Sequence, residues 1–316
     1  MAAQRADIQR TPGRDPRIAS GADYGNPDPE WRRIEWRQHL RRVQLPGAEV
    51  NYVEIGEGEP IVFVHGISGC WQNWLENLPH FAHTHRAIAL DLPGFGASPM
   101  PSWPIDMPAY GRLLHDFCEK LRVDSATVVG NSMGGLIAAE AFTATPGRLE
   151  RLVLVSSAGI INTWNPQPRA TATAWAWKHI GPHYHRRGRE IIARPRARQL
   201  VFGPFIRYPS RLRGDLLFEQ MENGLRKADG FGDALQAVIE TDIRERLGRI
   251  ELPTLVVGGL SDRVVPVAAA VSLHRRIPHS RLEIFERTGH VPQLERPARF
   301  NAVLDEFLAG DGAGRS

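Results

Sequence analysis

A serine between two glycines opens the chemical reading of this chain. Gly130-Asn131-Ser132-Met133-Gly134-Gly135 follows the apolar run ATVV and precedes the helix-forming run LIAAEAF. A serine at so tight a strand-to-helix turn takes a strained backbone, and its neighbours two residues away on each side must be glycine. The hydroxyl is thereby pushed clear of the sheet. The next amide, that of Met133, sits at a helix N-terminus, where an unspent N–H and the helix dipole favour negative charge. The pattern points to Ser132 as a nucleophile toward a carbonyl carbon. A serine hydroxyl needs a base within reach, and the base needs a third group to hold its tautomer. The run PTLVVGG leads at once into Leu260-Ser261-Asp262-Arg263, and RLEIFE into Arg287-Thr288-Gly289-His290. Asp262 and His290 thus fall just past strand ends, the edge at which open α/β sheets bind ligands. His290 is the expected general base and Asp262 the acid that orients it. The second oxyanion donor is expected from the turn His65-Gly66-Ile67-Ser68-Gly69, through the Ile67 amide. His65 itself reads as a structural hydrogen-bonding residue, and Asp91 as the residue that fixes its loop.

The elements that must carry these residues read as a repeat of strand, turn and helix. IVFV at 61–64, AIALD at 87–91, ATVVG at 126–130, RLVLVSS at 151–157, PTLVVGG at 253–259 and RLEIFE at 281–286 are continuous apolar runs. Strands buried on both faces have that character. Helical patterns lie between them, at 71–80, 108–121, 133–145, 266–277 and 296–309. Alternation of this kind predicts a mostly parallel sheet with helices on both faces. VQLPGAEVNYVEI at 43–55 reads as a hairpin around Pro46-Gly47. The rhythm breaks between Ser157 and Pro253, where aromatic residues gather: Trp164, Trp175, Trp177, Tyr184, Phe202, Phe205 and Tyr208. That stretch reads as an inserted helical cap. The expected organisation is an N-terminal arm over 1–42, partly disordered, a core over 43–158 and 240–316, and the cap over 159–239. Within the arm, Trp31 to Leu40 suits a short amphipathic helix. Ser68, Trp71 and Trp164 are candidate substrate contacts, although Trp71 and Trp74 at i,i+3 suit core packing equally well.

Bulk properties narrow the function classes. No run of about 18 apolar residues exists to span a bilayer. The first twenty residues have no apolar core of a secretory signal, so a cytoplasmic location is expected. Residues 1–45 carry nine Lys/Arg against six Asp/Glu, and residues 159–239 thirteen against six. Nearly all of that basicity is arginine, and no stacking-and-basic module accompanies it, so no nucleic-acid partner is expected. The segment 178–198 could attract anionic substrates or an anionic lipid surface, or could be a solvated helix face. The two cysteines, Cys70 and Cys118, lack metal spacing and suit a reduced compartment, though one disulfide between them is open. His183 and His185 stand at i,i+2 with no carboxylate nearby, so no metal is expected. No cofactor is expected either. Nothing in the sequence speaks to oligomeric state.

His65-Gly66, the D-x-P-G-x-G-x-S stretch at Asp91–Ser98, G-N-S-M-G-G at 130–135, Asp262 in G-G-L-S-D-R-V-V-P and T-G-H-V-P-Q-L-E-R-P at 288–297 together resemble the α/β-hydrolase superfamily. The resemblance covers about 43 to 309. It implies an eight-stranded, mostly parallel sheet with a cap inserted after the sixth strand. Serine rather than aspartate at 132 sets the chain apart from the haloalkane dehalogenase and epoxide hydrolase branches. Two branches are close: carboxylesterase- or lipase-like enzymes, and hydrolases that break a carbon–carbon bond in meta-cleavage products. After His65-Gly66 this chain has Ile67-Ser68-Gly69-Cys70, where the second group is expected to have Gly-Pro-Gly. Hydrolysis of a carboxylic ester of a small, largely apolar substrate through an acyl-enzyme is therefore the favoured expectation. Carbon–carbon bond hydrolysis is the alternative, and a small-molecule receptor with slow turnover is a third.

Overall fold

The computed structural model describes residues 17–19, 24–144, 149–159 and 188–310. Its strands are β1 Arg17–Ala19, β2 Leu40–Leu45, β3 Ala48–Ile55, β4 Glu59–Val64, β5 His85–Leu90, β6 Ala126–Asn131, β7 Leu149–Val155, β8 Thr254–Gly259 and β9 Ser280–Phe285. They form one sheet in the order β1-β9-β8-β7-β6-β4-β5-β3-β2. β2 and β3 pair antiparallel, as do β3 and β5, and every other pair is parallel. The eight strands β2–β9 are the sheet that the resemblance implies. The three-residue β1 adds an edge to it from within the arm.

The apolar runs form strands because both of their faces are covered. Along β4, Ile61 and Phe63 enter one hydrophobic cluster while Val62 and Val64 enter the other. Alternate residues of a strand point to opposite faces, so an unbroken apolar run feeds two cores at once. The chain continues through helices α1 Leu78–Ala82, α2 Met107–Lys120, α3 Met133–Ala144, α4 Gly188–Ala193, α5 Pro195–Phe202, α6 Gly214–Glu219, α7 Phe231–Glu240, α8 Val267–Arg276, α9 Pro292–Glu295 and α10 Pro297–Gly310. Helices α2, α3 and α8 bury residues in the first cluster, and α1 and α10 in the second. Parallel connections return every β4–β9 strand in the same direction, so their carboxyl ends share one edge.

That edge is also where the backbone is least relaxed. Among the described residues five non-glycines have positive φ, and four of them follow strand ends: Ser68 (58°), Ser132 (56°), Ser156 (45°) and Arg287 (53°). Left-handed backbone is uncommon outside glycine and gathers at functional loops.

The stretch Trp31 to Leu40 is not one amphipathic helix. It forms two 3₁₀ turns, Glu30–Arg33 and Trp36–Gln38, and then enters β2. The reason lies in its tryptophans. Trp31 is buried and its indole donates to Glu76 at 3.1 Å, while the Trp36 indole donates back to the Trp31 carbonyl at 2.9 Å. These anchors fold the segment onto the body where a straight helix would lift it away. From Tyr24 onward the described part of the arm is thus packed.

Candidate active site

Ser132 stands between the last residue of β6 and the first of α3, and its side chain is largely buried. The flanking glycines explain the turn. A methyl at Gly130 would run into the backbone of Gly134 and Gly135, and one at Gly134 into the carbonyls of Val64 and His65. Only glycine lets α3 begin so close to β4 and β6. The same closeness brings the turn at 65–69 alongside: a methyl at Gly66 would lie 3.0 Å from the Ser132 Cβ. Among the described residues, neither the Ile67 nor the Met133 backbone N–H donates to a protein acceptor. The Ser68 hydroxyl is likewise buried with no protein partner among the described residues.

Asp262 and His290 follow β8 and β9, two neighbouring strands. His290 Nδ1 lies 2.8 Å from Asp262 Oδ2, and the Asp262 side chain is fully buried. The other carboxylate oxygen accepts the amides of Val264 and Val265 at 2.8 and 2.9 Å. With a carboxylate at Nδ1, that nitrogen carries the proton and Nε2 is left as the acceptor. Asn131 links this loop to the serine turn: its amide group donates to the His290 carbonyl at 3.2 Å and to the Val155 carbonyl at 3.1 Å.

His65 serves structure, as its sequence context suggests. The Leu92 amide donates to its Nε2 at 2.9 Å, so Nδ1 holds the proton and donates to the Gly66 carbonyl at 2.7 Å. Complete burial pushes its pKa down to about 4. Asp91 also fixes its loop. It accepts the Trp71 amide at 2.7 Å, the Asn51 side chain at 2.8 Å and the Ala97 amide at 2.9 Å. Burial raises its pKa to about 6, against the pull of those three donors. Gly96 (φ 59°) is required because a side chain there would collide with this carboxylate.

The helical stretch after β7 is seated on the same edge. Gln220 accepts from Asn73 at 2.6 Å and donates to the Gln72 carbonyl at 2.9 Å. Gly224 packs on the Ser68 carbonyl, the Lys227 carbonyl accepts the Gly96 amide at 2.9 Å, and the Phe205 carbonyl accepts the His290 amide at 2.7 Å. Residues 220–224 form a π turn, a feature frequent at functional sites. Trp71 is buried, with its ring 5.1 Å from that of Trp36. Trp164 and the histidines at 179, 183 and 185 lie outside the described residues. Cys70 and Cys118 are both buried and are not joined to each other, so the disulfide left open by the sequence is absent. Among the described residues no group of His, Cys, Asp and Glu could hold a metal ion. No helix among them is long and apolar enough to cross a membrane.

Two residues support the His290 loop, Glu295 from within the motif at 288–297 and Tyr24 from the arm. Glu295 accepts the Gly289 amide at 2.8 Å, and Tyr24 donates to Glu295 at 2.6 Å. An acid five residues after the histidine is a usable signal for the first. Tyr24, alone in a polar arm, offers none.

A serine at a strained strand end, linked through Asn131 to the loop of a His–Asp pair on an α/β sheet, suits a hydrolase scaffold. The chain belongs to the α/β-hydrolase family: the model of the α/β hydrolase fold matches residues 59–297. It is 30% identical to the 2-hydroxy-6-oxononadienedioate/2-hydroxy-6-oxononatrienedioate hydrolase of Cupriavidus pinatubonensis, covering 79% of this chain and 86% of that one. It is also 30% identical to the 2-hydroxy-6-oxo-2,4-heptadienoate hydrolase of Pseudomonas putida, over 86% of this chain and 96% of the other. Among solved structures, the N-acyl homoserine lactone degrading enzyme Est816 is 28% identical with a TM-score of 0.68, covering 84% of this chain and all of that one.

Proposed function

We propose that this chain hydrolyses a carbon–carbon bond in a 2-hydroxy-6-oxo-dienoate, with Ser132 as nucleophile, His290 as general base and Asp262 as the orienting acid. The covalent route is supported by the strained Ser132 turn, by the Asp262–His290 pair and by the Asn131 side chain that links the serine turn to the His290 loop. The observation that carries the choice of bond is the 30% identity to two relatives, both named for dienoate hydrolysis. It displaces ester cleavage, which the residues alone favoured.

The chemistry follows from the substrate class. The dienol first becomes its keto tautomer, its enol proton moving to carbon 5. Ser132 Oγ then adds to the carbonyl at carbon 6 while His290 Nε2 takes the hydroxyl proton. The free amides of Met133 and Ile67 donate to the oxyanion, an arrangement worth several kcal/mol of barrier. As the carbonyl re-forms, the C5–C6 electron pair leaves as the conjugated dienolate, and His290 returns its proton to that fragment. Water, deprotonated by His290, attacks the acyl-enzyme and releases the carboxylic acid and Ser132. Ser68, Trp71 and Trp164 are the proposed substrate contacts, and the insertion over 159–239 is the proposed cap between the core segments 43–158 and 240–316. The buried, unbridged thiols fit a cytoplasmic, reducing setting.

The test is release of the two cleavage products, the carboxylic acid and the shorter dienoate, on mixing a dienol with wild type and with Ser132→Ala. Rapid product release with the wild type and none with the variant supports the proposal. No turnover across several such dienols overturns the choice of bond. The Est816 likeness favours a second reading, ester or lactone hydrolysis by the same residues. Turnover of p-nitrophenyl butyrate and an acyl lactone, with the dienols untouched, would select it. Fluorophosphonate labelling that persists in Ser132→Ala would refute the nucleophile in either reading.

A further inference from the structure

The N-terminal arm reaches the candidate site from outside the region that matches the family, which begins at residue 59. The Tyr24 hydroxyl donates to Glu295 Oε2 at 2.6 Å and accepts the Tyr208 amide at 2.9 Å. Glu295 Oε2 also accepts the Arg207 amide at 2.8 Å. Glu295 Oε1 accepts the amides on both sides of His290, Gly289 at 2.8 Å and Val291 at 3.4 Å. The carbonyl of Glu295 in turn accepts the Gly25 amide at 2.8 Å. One fully buried carboxylate therefore joins three pieces of chain: the arm, the covering stretch and the His290 loop. The Tyr24 ring is held independently, 5.4 Å from the Tyr208 ring and with the Arg296 guanidinium 5.5 Å away.

We propose that Tyr24 is a positioning residue for His290, acting through the Glu295 carboxylate, so that the arm is part of the working site. This rests on His290 being the base. The buried, fully coordinated carboxylate has a fixed position, and it sets the two peptides that carry the imidazole. A base misplaced by even a fraction of an ångström loses much of its effect on the nucleophile.

The carboxylate accepts from the Tyr24 hydroxyl of the arm, the Arg207 amide of the covering stretch and the Gly289 and Val291 amides on its own side, and the Arg296 guanidinium lies over the Tyr24 ring. Burial pushes the Glu295 pKa up to about 7, and the Tyr24 hydroxyl is among the donors that restrain it. The Tyr24 phenol is itself pushed upward, chiefly by burial and then by Glu295, and stays a donor throughout the working range. Without that hydroxyl Glu295 keeps its proton to higher pH, and a neutral carboxyl accepts amide hydrogen bonds less strongly.

Two variants test this, Tyr24→Phe, which keeps the ring, and Glu295→Gln. The readouts are the rate of fluorophosphonate labelling at Ser132 against pH, and hydrogen exchange at the Gly289 and Val291 amides. Tyr24→Phe should label about tenfold more slowly at pH 7 and recover as pH rises toward 9, with faster exchange at both amides. Glu295→Gln should label slowly at every pH. A wild-type labelling rate and pH profile in Tyr24→Phe overturns the proposal, whether or not exchange changes. Wild-type labelling in His290→Ala would instead overturn the assignment of the base.

Discussion

Replacing Asp262 by asparagine should abolish turnover while leaving the fold nearly intact. The two side chains have the same shape. In the structure one carboxylate oxygen accepts two amides and the other faces His290 Nδ1 at 2.8 Å. The carbonyl of an asparagine would keep the two backbone amides. Its NH2 would then face the imidazole and donate to Nδ1. That forces the proton to Nε2, the nitrogen that must accept from Ser132. The base is thereby held in the unproductive tautomer, with the positive charge that forms on it left without its counter-ion. The corresponding Asp-to-Asn change in a serine protease triad, a worked case in general enzymology, costs about 10⁴ in kcat, which corresponds to about 5 kcal/mol of barrier at about 1.36 kcal/mol per decade. A similar fall is expected here. Stability should drop by no more than about 1–2 kcal/mol, because no backbone amide is left unpaired. Aspartate to alanine should destabilise further, since the Val264 and Val265 amides would both lose their acceptor. The assay is steady-state turnover of a dienol and of p-nitrophenyl butyrate, beside urea unfolding of all three proteins. A kcat for Asp262→Asn within tenfold of wild type would refute the tautomer argument.

Two contrasting glycine changes test the turn. Gly130→Ala forces a methyl onto the Gly134 backbone and should cost more than about 3 kcal/mol, whereas Gly232→Ala in α7 meets nothing within 4 Å and should be neutral or stabilising by about 0.5 kcal/mol. Urea midpoints that move alike for both would contradict the steric account. Stability should also depend on pH through Glu295. An unfolded glutamate is ionised from about pH 4.5, while the folded Glu295 holds its proton to about 7, so folding takes up a proton in between. From pH 5.5 to 7.5 this group should therefore remove about 2 kcal/mol of stability as the pH rises. Glu295→Gln should flatten that part of the profile, and equal slopes in the two proteins would count against the assigned burial effect.

Most of the fold and all of the proposed triad were legible because they depend on local pattern. ATVV, TLVV and RLEIF are apolar throughout, and only a strand covered on both faces needs that. The glycines at 130 and 134 declare a steric limit that no other residue meets. Asp262 and His290 stand out because each lies in the loop past the carboxyl end of such a strand. The supports were harder to read because they are contacts across long stretches of sequence. Tyr24 and Glu295 are 271 residues apart, and Trp31 and Glu76 are 45 apart. Between Tyr24 and Trp36 two tryptophan indoles and one phenol tie the arm down, contacts that its polar composition does not announce. The helix expected from Trp31 to Leu40 failed for the same reason: side-chain anchors outweighed a weak local propensity. The preference for ester cleavage rests on the four residues after His65-Gly66, and the likeness of the whole chain to two dienoate hydrolases weighs more than one turn does.

The positive-φ residues at the strand ends carry a consequence for how the chain would respond to selection. Ser68 and Ser156 each combine a left-handed backbone with a buried hydroxyl that has no partner among the described residues. Glycine would relax the backbone and remove the orphaned group together. Selection for heat tolerance alone should thus replace serines at this rim first, before any core position. Selection that also demands turnover should keep Ser132 against that pressure, and whichever other rim serines resist it would be marked, without any substrate in hand, as residues that touch one.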